Sequence, residues 1–212
     1  MADESPSEHT VSWRGALAGL IFIVFLDGAY WLGGPATRSI LLRYGAFWSA
    51  LFLALPLAYA LSTRRGLRAL GYRPQSALRY YLWGVAAGAL WRLADTLYAA
   101  GAGGLLGPLE LLRTLFDAFI LVPLLEETFF RGYLQAGLTA RLGPLPAVFI
   151  QALLFAGHPY HVAQGLLKLP SIFLFGVLAG LLTWRTRTLA AAWGAHGLAN
   201  ILPALITALA KI

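Results

Sequence analysis

Seven long apolar runs, separated by short gaps rich in Arg, Gly and Pro, organise this chain: roughly residues 14–33, 44–62, 78–100, 109–137, 145–158, 168–184 and 189–210. A helix needs about 20 mostly apolar residues to cross a bilayer. The pattern therefore predicts an all-α polytopic transmembrane bundle of about seven spans, within a range of six to eight. The fifth and sixth runs are short, as expected of shortened spans or half-helices packed against protein. Pro159 ends the fifth run, removes a backbone donor and disfavours helical geometry at His158, so a kinked or broken helix is predicted there. No internal repeat, soluble domain or low-complexity tract interrupts the series. The chain divides into a tail, 1–13, a set of helices without a recognisable motif, 14–108, and a core that carries the chemistry, 109–212.

Composition agrees with the pattern. Of 212 residues, 59% are apolar and 12% charged, against about 45–50% and ~25% in soluble domains; mean hydropathy is +0.70. The absence of cysteine excludes disulfides, thiolate catalysis and cysteine metal sites. Sixteen basic residues outnumber nine acidic ones, for a formal charge of +7. The arginines sit in the gaps, which fits membrane topology better than nucleic-acid binding. The richest gap, with Arg64, Arg65, Arg68, Arg73 and Arg79, is expected in the cytoplasm, and the N-terminus with it. Arg141, Arg185 and Arg187 then also fall inside, whereas Arg38 and Arg43 fall outside and run against the rule. Met1 to Thr10 is polar and acidic, unlike the basic start of a signal peptide, so the first span is expected to stay as an anchor. The bias to Arg, Ala, Leu and Gly points to a GC-rich bacterial genome, and so to a bacterial inner membrane.

Charge inside the apolar runs carries the chemistry. The segment Glu126-Glu127-Thr128-Phe129-Phe130-Arg131 places two carboxylates and a guanidinium where ionised groups cost at least ~2.5–3.5 kcal/mol and are usually functional. Glu127 and Arg131, four apart, share a helix face and are expected to pair. Glu126 lies about 100° round the helix from Glu127. It is left as a candidate general base, with an ion pair to Arg131 or Arg92 as the structural alternative. A carboxylate in apolar surroundings suits base work near neutral pH. His196 and Asn200 are likewise four apart on one face, and both can hold water or donate hydrogen bonds, to substrate or simply between helices. His158 sits at the predicted break. His161 reads as an interfacial histidine near the outer surface. Counted from the inner ends of their runs, Glu126, His158, His196 and Asn200 reach similar depths of about 12–21 Å, so they are expected to line one cavity. Arg92 and Asp95, three apart, are expected to pair.

These motifs resemble the CAAX-protease and bacteriocin-processing family of intramembrane endopeptidases, also called the ABI family. Its pattern is EExxxR, FxxxH and HxxxN. Glu126 to Arg131 matches the first element and His196 to Asn200 the third. The second departs, because Phe155 stands three residues before His158 and Leu154 four. The resemblance covers about residues 109–205. It implies a glutamic-type protease that needs no covalent intermediate. Glu126 would activate water with help from His196. His158 and Asn200 would donate to the oxyanion, and Glu127 and Arg131 would hold the helix and base in place. It further implies a membrane-anchored peptide or protein substrate, with peptide maturation or processing of a C-terminal sorting signal fitting a bacterium better than CAAX removal. Membrane lipids are the remaining partners expected, and neither nucleic acid nor a cofactor is. Two alternatives stand beside this reading. One is a zinc protease with Glu126, His158 and His196 as ligands, a donor set known in catalytic zinc sites. The other is a non-catalytic scaffold, immunity or transport protein.

Overall fold

The structure is a computed structural model that describes residues 11–63, 66–98 and 108–209. Among them there is no strand. The N-terminal residues 1–10, with Arg64 and Arg65, lie outside the described part. The chain is an all-α bundle, as its pattern predicts. Helix α1 (Trp13–Leu32) starts at Ser12, whose hydroxyl accepts from the Gly15 N–H. A short helix α2 (Pro35–Arg43) occupies the first gap, and α3 (Gly45–Ser62) and α4 (Ala77–Tyr98) follow.

Residues 108–142 then form one continuous helix whose winding changes twice. Helical turns α5 (Pro108–Phe116), α6 (Val122–Glu126) and α7 (Ala136–Leu142) alternate with π-helical stretches at Asp117–Leu121 and Glu127–Gln135. The apolar run predicted for 109–137 is thus part of a longer element. Next come α8 (Pro144–Gly157), a single turn α9 (Pro159–Val162), α10 (Leu169–Thr186) and α11 (Leu189–Leu209). Segments 13–32, 45–62 and 166–186 are each long and apolar enough to cross a membrane, and Pro144–Gly157 is apolar but shorter. Large apolar side chains such as Ile21, Phe25, Leu61, Leu78 and Leu90 face outward, which suits a lipid-facing surface.

The centre of the bundle is the π-helical stretch Glu127–Gln135. All nine of its residues are buried, and α1, α3, α8, α10 and α11 pack around it. A helix buried on every side must satisfy its polar groups internally. Tyr133 donates to the Gly15 carbonyl of α1, Gln135 to the Gly180 carbonyl of α10 at 3.0 Å, and Thr128 shares a hydrogen bond with Tyr72. Helix α11 lies close along α4, where a Cβ on Gly84, Gly88 or Gly194 would collide with facing backbone. Arg92 pairs with Asp95, as predicted, and Ser171 donates to Asp95 at 2.5 Å, tying α4 to α10.

Candidate functional site

Two prolines set the geometry of the site. Pro123 has no N–H to give the carbonyl of Phe119, four residues back. The indole of Trp193 donates to that carbonyl instead, at 2.5 Å. Gly197 packs against the Phe119 ring with no room for a Cβ. Helix α11 is thereby fixed in register on the long helix, which brings His196 opposite Glu127. Pro159 acts in the same way on Phe155. Helix α8 ends at Gly157, and His158 adopts extended backbone angles, φ −59° and ψ 138°, as its place before a proline dictates. The Phe155 carbonyl accepts from the His158 N–H at 3.3 Å and from His161 Nδ1 at 2.5 Å.

The buried carboxylate Glu127 pairs with Arg131 at 3.1 Å, the contact expected from their spacing. The same Oε1 also lies 2.6 Å from His196 Nδ1. The Arg131 guanidinium rests 4.3 Å from the centre of the Phe155 ring. A carboxylate only accepts hydrogen bonds, so His196 donates through Nδ1 and presents the Nε2 lone pair outward. By the same logic His161, donating to a backbone carbonyl, presents its own Nε2. Both point at one atom. Glu126 Oε2 lies 3.7 Å from His196 Nε2 and 3.9 Å from His161 Nε2, and it has no hydrogen-bond partner within the protein. These gaps are too long for direct hydrogen bonds and are of the span a bridging water fills.

The structure therefore brings Glu126, His196 and His161 together, with Glu127 and Arg131 behind them. The sequence reading that puts His161 at the outer interface is corrected: the residue is buried, 8% exposed, because the break at Pro159 turns it back onto Phe155. His158 is also buried but directed elsewhere. Its Nδ1 faces Asp27 of α1 at 3.8 Å, and its ring lies against Phe52 at 5.1 Å and His161 at 6.0 Å. Asn200 stands one turn beyond His196, is exposed, and makes no hydrogen bond among the described residues. Arg92, the alternative partner for Glu126, is engaged by Asp95. The zinc set Glu126, His158 and His196 does not fit a metal, because His158 turns to Asp27. Among the described residues no group of three or more His, Asp or Glu is arranged to hold one.

Two residues of this environment were not singled out from sequence. Asp27 has no motif around it. His161 reads from sequence as an interfacial histidine beyond the proline break, with no motif that ties it to Glu126. Residues 108–202 match the family model described as "Type II CAAX prenyl endopeptidase Rce1-like". No curated protein and no solved structure matches the chain.

Proposed function

We propose that this chain, whose residues 108–202 match the model of Rce1-like CAAX-type endopeptidases, hydrolyses a peptide bond of a membrane-anchored substrate with a water activated by Glu126. The observation that carries this reading is the environment of Glu126 Oε2, a buried and unpartnered carboxylate oxygen faced by two imidazole Nε2 atoms within 4 Å.

A water donates one hydrogen to Glu126 Oε2 and the other to the lone pairs of His196 and His161. As its oxygen bonds to the scissile carbonyl carbon, Glu126 takes the proton and the carbonyl oxygen becomes an oxyanion. His158 and the free amide of Asn200 donate to that oxyanion, the electrostatic contribution that usually dominates acyl transfer. Collapse breaks the C–N bond, and the leaving amine takes the proton back from Glu126. Glu127, held by Arg131, keeps His196 in the tautomer this requires. No metal is called for. The substrate we favour is a peptide or protein maturing at its membrane-embedded end, in the inner membrane of a bacterium.

Replacing Glu126 by Gln keeps shape and removes the base. Quantitative comparison of membrane proteins from wild-type and Glu126→Gln cells should reveal one or a few uncleaved precursors that accumulate only in the variant, with normal levels of the enzyme itself. Identical protein profiles with intact processing would leave the scaffold, immunity or transport reading standing.

A further inference from the structure

Outside the cluster on Glu126, a buried acid and a buried imidazole also meet within the bundle. Asp27 of α1 is 8% exposed and His158 2%. Asp27 Oδ1 and His158 Nδ1 face each other at 3.8 Å, and neither atom has any hydrogen-bond partner within the protein. Two such orphans side by side cost about 1–3 kcal/mol each, and a small side-chain rotation joins them. Catalytic hydrogen bonds are often long in this way before substrate binds. His158 has little freedom otherwise, since Phe52, Tyr160 and His161 crowd its ring, with centroids at 5.1, 5.9 and 6.0 Å. Asp27 also lines a cavity of about 560 Å³ between α1, α8 and α10, whose other walls are mostly apolar, among them Leu153, Leu154, Leu169 and Phe173. Among the described residues Asp27 has no Lys or Arg as an ion-pair partner; the titratable group that faces it is His158.

We propose that Asp27 is a positioning residue, contributed by the helices that precede the family match, which fixes His158 in the tautomer that donates from Nε2. The proposal rests on the protease reading above for its purpose, though not for its geometry. A neutral imidazole carries one proton, and His158 can donate to an oxyanion only if that proton is on Nε2. Nδ1 must then accept a hydrogen bond. The Asp27 carboxyl, donating its O–H to Nδ1, meets that need and leaves no unpaired charge against the apolar wall, which burial would penalise heavily. A carboxylic acid held neutral in an apolar site to serve as a donor is an established device in enzymes. Helix α1 therefore supplies part of the site, and Asp27 works through His158 without touching the reacting atoms.

The test uses the full chain, labelled with ¹⁵N-histidine, in lipid nanodiscs. The His158 signals are identified by their loss in His158→Gln. In the wild type His158 should show a single tautomer, protonated at Nε2 and hydrogen-bonded at Nδ1. Asp27→Leu should convert it to a mixture, without lowering the melting temperature, because an apolar side chain suits that wall. Asp27→Asn keeps a donor at the same place and should retain the single tautomer. In cells, Asp27→Leu should accumulate precursor to the level of His158→Gln, and the double variant no further. A His158 spectrum unchanged by Asp27→Leu overturns the proposal whether or not the chain cleaves anything. So does full processing by Asp27→Leu in cells whose Glu126→Gln counterpart accumulates precursor. If Glu126→Gln accumulates none, the protease reading fails while the spectra still decide the Asp27–His158 pair.

Discussion

At the scale of single residues, the two adjacent glutamates have different partners. Glu127 Oε1 receives both Arg131 and His196, whereas Glu126 Oε2 receives neither directly. Glu126→Gln should therefore abolish processing by orders of magnitude and leave the melting temperature near wild type. Glu127→Gln strands a buried guanidinium, a loss of about 3–5 kcal/mol when one partner of a buried pair is removed, and it also releases His196. It should show lower expression and melting temperature first, read by thermal unfolding in detergent. Equal destabilisation by both substitutions would refute this division. The metal question belongs at the same scale. In the proposed mechanism Glu126, His196 and His161 hold the water, and Asn200 is a good donor but a poor zinc ligand. Purified protein should keep cleaving after prolonged chelation and contain well under one zinc per chain by elemental analysis. Activity lost to chelator and restored by zinc alone would reverse the assignment. The carboxylate pair and its arginine were legible because charges in an apolar run are conspicuous. His161 and Asp27 were not, since nothing in a linear sequence shows that a proline break folds one histidine back toward Glu126, or that α1 brings an isolated acid to another.

At the scale of elements, two prolines and two π-helical stretches turn ordinary apolar helices into a site. Pro123 and Pro159 each free the carbonyl four residues back, on Phe119 and Phe155, and each carbonyl is taken by a side-chain N–H, of Trp193 and His161. Winding with i→i+5 hydrogen bonds is rare and frequent at functional sites. Here it starts at Glu127, directly after the proposed base. A sequence reading that assumes uniform α-helix places Glu126 and Glu127 on neighbouring faces well enough, but it cannot foresee the change of winding, which depends on packing from five other helices. The break at Pro159 was foreseen, because the proline constraint is local. Its consequence is testable. Pro159→Ala supplies an N–H for the Phe155 carbonyl, in competition with His161. Helix α8 should run on, and His161 should lose its anchor. Stability should hold or rise, since proline is unfavourable within a helix, while processing falls about 10²-fold, the scale of a misplacement near 1 Å. Thermal unfolding and precursor accumulation measured on the same variant separate the two effects. Normal processing would mean that the break does not place His161.

For the whole molecule, the charges at the helix ends bear on the path through the membrane. Helices now stand where each apolar run was predicted, and the charges that decide orientation can be weighed by what they touch. Arg38 counted against a cytoplasmic N-terminus. In the structure its guanidinium donates to the carbonyls of Tyr30 and Trp31 at 3.0 and 3.3 Å, at the C-terminal end of α1. A cation there satisfies orphan carbonyls and the helix dipole, so Arg38 has a local reason for its position. Arg68, in the segment between α3 and α4, and Arg79, in the first turn of α4, are in contrast exposed. The positive-inside rule then favours that loop on the cytoplasmic side. With seven crossings the C-terminus emerges on the opposite side. The weak point is α8. Its 14 residues rise about 21 Å, short of a hydrocarbon core of about 30 Å, so α9 and the turn before α10 must complete the passage. Reporter fusions after Gln75 and after Ile212 should show the first in the cytoplasm and the second outside. A first fusion outside inverts the orientation and leaves the site intact. A C-terminus in the cytoplasm together with Gln75 would mean an even number of crossings, with one of the segments α8 and α10 failing to span.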